Sequence, residues 1–148
     1  MCRELVGNMV YTLRASFGLK TWYNSSHTAT PGPCGGEAIS WHEVPVALSL
    51  DGRVIRGAVD AVFHSRDDQW FLVDFKADRI KPEGVAERTE EYLVQLGLYQ
   101  AGAEQPLGES PRVIVYYLFP GVPMEINRDR LLDAQGQVEA LFSGLSTF

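Results

Sequence analysis

The stretch RGAVDAVFHSRDDQWFLVDFKADRI, residues 56–80, constrains the fold more than any other part of the chain. Two apolar runs flank a polar turn, which is the pattern of a β-hairpin. Set into these runs are Asp60, Asp74 and Lys76. Because a carboxylate among apolar side chains is destabilising unless it has a partner, the fold must supply partners for both acids.

The number of residues in the turn decides whether the two aspartates lie together. In an antiparallel pair, directly opposed residues lie on the same face of the sheet. Asp60 opposes Asp74 only if the turn has an odd number of residues, for example residues 65–69. A two-residue turn at Asp67 and Asp68 would send the aspartates to opposite faces. We therefore predict a three- or five-residue turn with a bulge.

The same register predicts the other pairs of the hairpin. Both of its faces are mainly apolar, which is typical of a sheet covered on both sides. The predicted pairs are Val62–Leu72 and His64–Trp70 on the aspartate face, and Val59–Phe75, Ala61–Val73 and Phe63–Phe71 on the other.

This register also predicts a metal site. Asp60, Asp74 and Lys76 share one face at one end of the hairpin, and two close carboxylates repel unless a cation lies between them. Lys76 supplies one positive charge, and a hard divalent cation, Mg²⁺ or Mn²⁺, supplies the rest. Such a metal activates water and stabilises charge on a phosphate, with Lys76 orienting or helping to deprotonate the water. The alternative is a buried Asp–Lys ion pair that closes a strand end.

The rest of the chain predicts a single α/β domain over residues 1–148, with a helix and a loop in 1–37 and a sheet-centred core in 38–148. The order is helix, three-stranded meander, helix, strand, helix. Pro45 predicts an edge strand or a bulge, and Asp51-Gly52 predicts a tight hairpin. The predicted elements are a helix at 3–17, a loop at 24–37, strands at 39–50, 53–64 and 69–77, a helix at 86–103, strands at 112–119 and 122–127, and a helix at 129–143.

Composition narrows the function classes. The net charge of −6 argues against a free-standing nucleic-acid binder, although a metal and a larger partner can supply a positive field. Cys2 and Cys34 form no CxxC pair, so we expect no iron–sulfur cluster and no structural zinc, and a reducing cytoplasm. No apolar run approaches the roughly 20 residues of a membrane span, so we expect no membrane partner.

Three segments together resemble a known family. GAVDAVF, WFLVDFKADRI and EEYLVQLGLYQAG resemble the nuclease domain of RecB- and AddA-type helicase–nucleases, in the PD-(D/E)XK superfamily. The family pattern is Gly-x-x-Asp, a hairpin, Asp-Tyr-Lys-Thr, and a helical Tyr-x-x-Gln-Leu-x-x-Tyr, with Arg-Glu-x-Pro-Phe upstream. The resemblance extends over residues 41–119. The residues that carry it are Gly57, Asp60, Asp74, Phe75, Lys76, Tyr92, Gln95, Leu96 and Tyr99, with His42, Glu43, Pro45 and Val46 echoing the upstream element.

The resemblance implies a restriction-endonuclease-like fold, in which helices flank a mixed central β-sheet. It implies that Asp60 and Asp74 are metal ligands, joined by the backbone carbonyl of Phe75. It makes Lys76 the catalytic lysine and Glu43 an accessory acid near the metal. The activity implied is that of a Mg²⁺-dependent deoxyribonuclease, exonucleolytic and active in recombination or repair. The partners implied are DNA and a helicase domain or subunit.

The resemblance also assigns residues on the helix that follows the hairpin. Gln95 and Tyr92 lie three residues apart, hence on one helix face. With Tyr99, they are expected to contact DNA phosphate or to brace the catalytic strand. Ordinary helix packing is the alternative for the two tyrosines, whereas a glutamine among leucines needs a polar partner if buried.

Two departures from the family pattern open a second hypothesis. The family places a metal-binding histidine on an upstream helix, but the predicted helix at 3–17 has none and His27 lies in the following loop. Ala77 replaces the usual threonine. A catalytically degenerate module that binds DNA or a helicase subunit is therefore the alternative function. A structural protein with an incidental buried ion pair would leave the Tyr-x-x-Gln helix unexplained.

Overall fold

The computed structural model describes residues 40–65 and 68–145. Several predictions concern residues outside these ranges: the helix and the loop before residue 38, both cysteines and His27. The sheet-centred part of the chain can be compared with its prediction strand by strand.

The described residues form a mixed five-stranded sheet with helices, and this confirms the predicted α/β class. The strands follow the order β1-β2-β3-β4-β5 in the sheet. Among the described strands only β3 and β4 are parallel, and the connection between them carries two helices. No helix in this part of the chain is both long and apolar enough to span a membrane. The elements are β1 (Ser40–Leu50), β2 (Arg53–His64), β3 (Trp70–Lys76), a 3₁₀ turn (Pro82–Gly84), α1 (Val85–Glu90), α2 (Leu93–Leu107), β4 (Arg112–Tyr117), β5 (Val122–Ile126) and α3 (Arg128–Leu145).

The turn between β1 and β2 has the conformation that its sequence predicts. Asp51 and Gly52 both have positive φ, 46° and 72°, as a two-residue type I′ hairpin requires. Pro45 lies in β1, an edge strand of the sheet. The missing N–H of proline is tolerated at such an edge.

The hairpin of β2 and β3 has the predicted register. His64 pairs with Trp70, and Val62 pairs with Leu72, so the connecting turn has an odd number of residues, 65–69. Within it the Ser65 N–H donates to the Gln69 carbonyl at 2.9 Å, and Asp68 has φ 59°. The strand pairs end at Ala61↔Val73, one residue before Asp60 and Asp74, so the direct pairing of the two aspartates stays a prediction.

One predicted contact of the hairpin is wrong. Val59 is predicted to face Phe75, but it lies in the helix-side core, whereas Phe75 packs on the other face. The β2–β3 pairs end at Ala61↔Val73, and Glu43, which lies opposite Asp60 on β1, has φ 51°. The regular strand geometry is therefore interrupted at this position, and the alternation of β2 side chains shifts by one residue beyond it.

Buried side chains on both faces of β3 and β4 hold the sheet, as expected for its central strands. Each fully buried aliphatic or phenylalanine side chain contributes about 1.5–3 kcal/mol. The helix-side cluster includes Val62, Leu72, Leu96, Val113, Val115, Tyr117 and Leu131. The opposite cluster contains Ala61, Phe63, Phe71, Val73, Ile114 and Tyr116.

The helix predicted at 86–103 is two helices, α1 and α2. The Glu91 and Tyr92 N–H groups donate to the carbonyls of Arg88 and Thr89, at 3.3 and 3.0 Å. These contacts between residues three apart tighten the chain as a 3₁₀ turn does. α2 then continues to a left-handed cap at Gly108, with φ 78°. The interruption falls at Tyr92, one of the predicted site residues.

Candidate active site

The two aspartates meet where β2 and β3 separate. Beyond the last backbone pair, the Asp60 side chain continues the connection between the strands. Its Oδ2 accepts a hydrogen bond from the Phe75 N–H at 2.7 Å. A short hydrogen bond from a backbone amide to a carboxylate is strong, so Phe75 fixes the position of Asp60 beside Asp74.

Asp74 is buried with incomplete compensation. The residue is 5% exposed. Its Oδ2 forms an ion pair with Lys76 Nζ at 2.7 Å, and no other polar group in the described part of the chain bonds to that oxygen. Burial raises the pKa of Asp74 above its ordinary value, Lys76 opposes the rise and the Asp60 charge adds to it. The carboxylate thus has a lone-pair site that the protein leaves unsatisfied.

Three groups surround the ammonium of Lys76. Asp74 Oδ2 lies at 2.7 Å, Gln95 Oε1 accepts a hydrogen bond at 3.0 Å, and the Tyr92 ring centroid lies 4.0 Å away. The lysine side chain is only 14% exposed. An ammonium group has three N–H donors and no acceptor. Two acceptor oxygens and one ring face therefore hold the Lys76 ammonium in a single position.

Gln95 links Lys76 to the β1–β2 hairpin. Its Nε2 donates to Tyr99 Oη at 2.9 Å, and the Tyr99 ring lies directly on Gly57. A Cβ at Gly57 would come within 2.6 Å of Tyr99 Cε1, closer than real Cβ contacts allow. The glycine of the Gly-x-x-Asp pattern therefore makes room for the tyrosine that holds Gln95.

Tyr92 is held by two residues that sequence reasoning did not assign to the site. Its Oη donates to Asp78 Oδ2 at 2.7 Å, and Arg88 Nε donates to the same oxygen at 3.0 Å. Burial, and then the bond to Asp78, raise the pKa of Tyr92. The sequence shows a carboxylate, Asp78, two residues after Lys76. Its partners Tyr92 and Arg88 could not be predicted, because they come together only through the interruption between α1 and α2.

The remaining acid that the sequence assigns to the site is Glu43. Glu43 is opposite Asp60 in the register, and its side chain is exposed. Within residues 40–65 and 68–145, no three His, Cys, Asp or Glu side chains are grouped to hold a metal ion. His64 lies at the turn end of the hairpin, with its ring 4.5 Å from that of Trp70. The carboxylate pair is therefore not extended by Glu43 or by His64.

The two aspartates nevertheless fit a divalent cation of the magnesium type. Mg²⁺ keeps several waters and is usually bound through one or two carboxylates together with substrate phosphate. The unsatisfied Asp74 Oδ2 is an oxygen ligand of this kind, and Asp60 lies next to it. The Phe75 carbonyl stays a predicted third ligand.

The sequence matches a family model for the PD-(D/E)XK nuclease superfamily over residues 14–143. The match covers the mixed sheet, both aspartates and Lys76. The chain belongs to the PD-(D/E)XK nuclease superfamily.

Two curated relatives are large proteins, each described as a subunit of an ATP-dependent helicase/nuclease. One, from Lysinibacillus sphaericus (strain C3-41), is 35% identical over 88 residues, which are 52% of this chain and 7% of that protein. The other, from Clostridioides difficile (strain 630), is 39% identical over 66 residues, which are 45% of this chain and 5% of that protein. The matches thus span less than a tenth of either relative's length.

A structural comparison gives a more distant similarity. A crystallised protein from Eubacterium rectale is 18% identical, with a TM-score of 0.49 over 68% of this chain and 41% of that one.

Proposed function

We propose that this chain is a metal-dependent deoxyribonuclease domain that hydrolyses phosphodiester bonds from DNA ends. The observation that carries the proposal is the buried Asp74 Oδ2, which lies 2.7 Å from Lys76 Nζ and has no other hydrogen-bond partner among the described residues. Membership of a nuclease superfamily supports it.

Each residue of the site has a proposed role. Bound Mg²⁺ or Mn²⁺ would lower the pKa of a water and stabilise charge on the phosphate. Asp60 and Asp74, with the Phe75 carbonyl, would hold that ion, and the Phe75 N–H orients Asp60 for this purpose. Lys76, held by Gln95, would direct an N–H towards the attacking water or the phosphate oxygen as charge develops.

The partners follow from charge and from the relatives. A net charge of −6 repels DNA, so a larger assembly must deliver the strand. The two helicase/nuclease relatives support a helicase domain or subunit in that role. We place the assembly in the cytoplasm, in DNA recombination or repair. Glu43 remains a candidate accessory acid near the metal.

Cleavage of end-labelled linear DNA tests the proposal. The protein is incubated with single- and double-stranded substrates in Mg²⁺, in Mn²⁺ and in EDTA. We expect metal-dependent release of short products, which Asp74→Asn abolishes. Asp133→Asn, at an exposed position of α3, is the matched control and should cleave like wild type. Activity that survives Asp74→Asn, or intact DNA with both metals, would contradict the proposal.

One observation favours a second candidate function. No third metal-binding side chain joins Asp60 and Asp74 in the described part of the chain. A catalytically degenerate module would bind DNA or a helicase subunit without turnover. Binding of labelled DNA that is unaffected by EDTA, together with absent cleavage, would support this alternative.

A further inference from the structure

We propose that Asp78 and Arg88 are positioning residues that hold the Tyr92 ring against the ammonium of Lys76. The inference deepens the proposed nuclease function, on which it rests for the importance of Lys76. Neither residue touches the reacting atoms; both act through Tyr92.

Hydrogen bonds define the contact between these residues. Asp78 Oδ2 accepts from Tyr92 Oη at 2.7 Å and from Arg88 Nε at 3.0 Å. Arg88 is fixed in turn by Glu91, with Nη1 and Oε2 2.5 Å apart. The tyrosine hydroxyl is therefore bound to a carboxylate that is itself anchored to α1.

The face of the Tyr92 ring attracts the Lys76 ammonium electrostatically. An ammonium within about 6 Å of a tyrosine ring centroid is attracted to the ring face, and here the distance is 4.0 Å. Asp74 and Gln95 supply the other two contacts of Lys76. Without a fixed Tyr92, the ammonium would keep two contacts and gain freedom to leave the carboxylate pair.

The backbone is arranged around the same contact. Tyr92 lies at the interruption between α1 and α2, with φ −100° and ψ −6°. This residue therefore precedes α2, on which Gln95 follows three residues later. The two side chains reach Lys76 together from this start of α2.

Stability alone does not explain the Asp78–Arg88 pair. The side chains are 25% and 36% exposed, and partly exposed ion pairs add little to folding. The Arg88 hydrogen bond, and then that of Tyr92, lower the pKa of Asp78. The charged carboxylate is a strong acceptor for the tyrosine hydroxyl.

Lysine-selective NMR tests the inference without relying on nuclease activity. The 148-residue sequence has three lysines, Lys20, Lys76 and Lys81, so ¹³C-lysine labelling gives few signals and Lys76→Arg assigns the relevant one. In wild type, ring current should move the Lys76 ε-methylene protons upfield of those of Lys81. Asp78→Ala and Arg88→Ala should reduce this displacement, and Tyr92→Leu should remove it. Asp133→Ala, on exposed α3, should leave it unchanged.

Kinetics separate positioning from general weakening. Asp78→Ala should lower kcat about tenfold and change KM by less than about twofold, the size expected for loss of one ring contact. Asp78→Asn should restore part of kcat, because its amide oxygen still accepts from Tyr92. Tyr92→Phe keeps the ring and should lose less than Tyr92→Leu. Thermal melting verifies that each variant is folded.

The outcomes distinguish this inference from the proposed function. A ring-shifted Lys76 signal that depends on Asp78, in a protein without cleavage activity, would overturn the nuclease proposal and support the positioning role. An ordinary Lys76 signal, or one identical in wild type and folded Asp78→Ala, would overturn the positioning role whatever the activity.

Discussion

Two buried polar sites lie on the helix side of the sheet, and their hydrogen bonding differs. At Thr89 and Tyr117, both 0% exposed, the two hydroxyls lie 2.8 Å apart and Thr89 Oγ1 also lies 2.7 Å from the Val85 carbonyl. At Asp74, which is almost as buried, Oδ2 contacts Lys76 Nζ at 2.7 Å but has no second partner within the described chain. A buried polar group that is fully bonded stabilises a fold, whereas one left unbonded destabilises it.

Two glutamines of α2 show the same contrast. Gln100 is buried, and its Nε2 donates to the Pro111 carbonyl at 2.9 Å, which ties the helix to the start of β4. Gln95 instead bonds to Lys76 and Tyr99. The Gln100 amide bonds to the backbone, whereas the Gln95 amide bonds to side chains of the candidate site. We therefore expect mutations at the Thr89–Tyr117 site to lower stability without changing the cleavage rate. Mutation of Asp74 should instead lower the cleavage rate without lowering stability.

The largest effect is expected from Asp74→Asn. Cleavage should fall by about a thousandfold or more, because a charged metal ligand becomes a neutral amide. The free energy of unfolding should be equal to or above that of wild type, because burial and the neighbouring Asp60 charge together disfavour the carboxylate more than Lys76 favours it. Urea unfolding and DNA cleavage measure the two quantities. Destabilisation by about 3 kcal/mol or more would instead indicate a structural ion pair.

Gly57→Ala should lower both the stability of the fold and the cleavage rate. The new Cβ would displace Tyr99, with a loss of about 1–3 kcal/mol in unfolding free energy from overpacking. Gln95 should move with Tyr99, so kcat should fall as well. Gly136→Ala, where a Cβ meets no atom within 4 Å in α3, is the control and should raise stability slightly. A wild-type kcat in folded Gly57→Ala would break the link from Tyr99 to Lys76.

Thr89→Val should destabilise the fold and leave chemistry intact. It leaves the buried Tyr117 hydroxyl without its Thr89 contact, with an expected loss of about 1–3 kcal/mol. The cleavage rate per folded molecule should equal that of wild type. A double-mutant cycle with Tyr117→Phe should show less than additive losses, since both changes remove one hydrogen bond. A large fall in kcat in fully folded Thr89→Val would contradict the proposed difference between the two sites.

The smallest effect is expected from Asp78→Asn, in the pH dependence of stability. The pKa of Asp78 is lower in the folded protein than its ordinary value of 3.8. Its contribution is therefore present above about that pH and is lost as the pH falls through the lower folded value. Melting temperatures at neutral and acidic pH should differ less in Asp78→Asn than in wild type. Asp133→Asn should keep the wild-type difference.

The hairpin register could be predicted from the sequence, because the alternation of side chains and the odd turn are local properties. Pro45 predicts an edge strand or a bulge in this part of β1. The position of the irregularity, at Glu43 with φ 51° and opposite Asp60, could not be predicted. The irregularity moves Val59 to the helix side and makes the Asp60 side chain, rather than a backbone group, the partner of the Phe75 N–H.

The candidate site was predictable where motif residues are close in sequence, as for Asp74 and Lys76. Gly57 was recognised as part of a pattern, but its physical role needed the position of Tyr99. Asp78 and Arg88 were missed because they meet only through the fold: one follows β3, the other lies in α1, and a break in a helix predicted as continuous brings Tyr92 between them.

Manganese binding tests the central claim most directly. Titration of the protein with Mn²⁺, followed by electron paramagnetic resonance of the free ion, should show one saturable site in wild type and in Asp133→Asn. Asp60→Asn and Asp74→Asn should each lose that site while remaining folded, which thermal melting verifies. Equal Mn²⁺ binding by all four proteins, or no binding by wild type at millimolar metal, would contradict the claim that this carboxylate pair is a metal site.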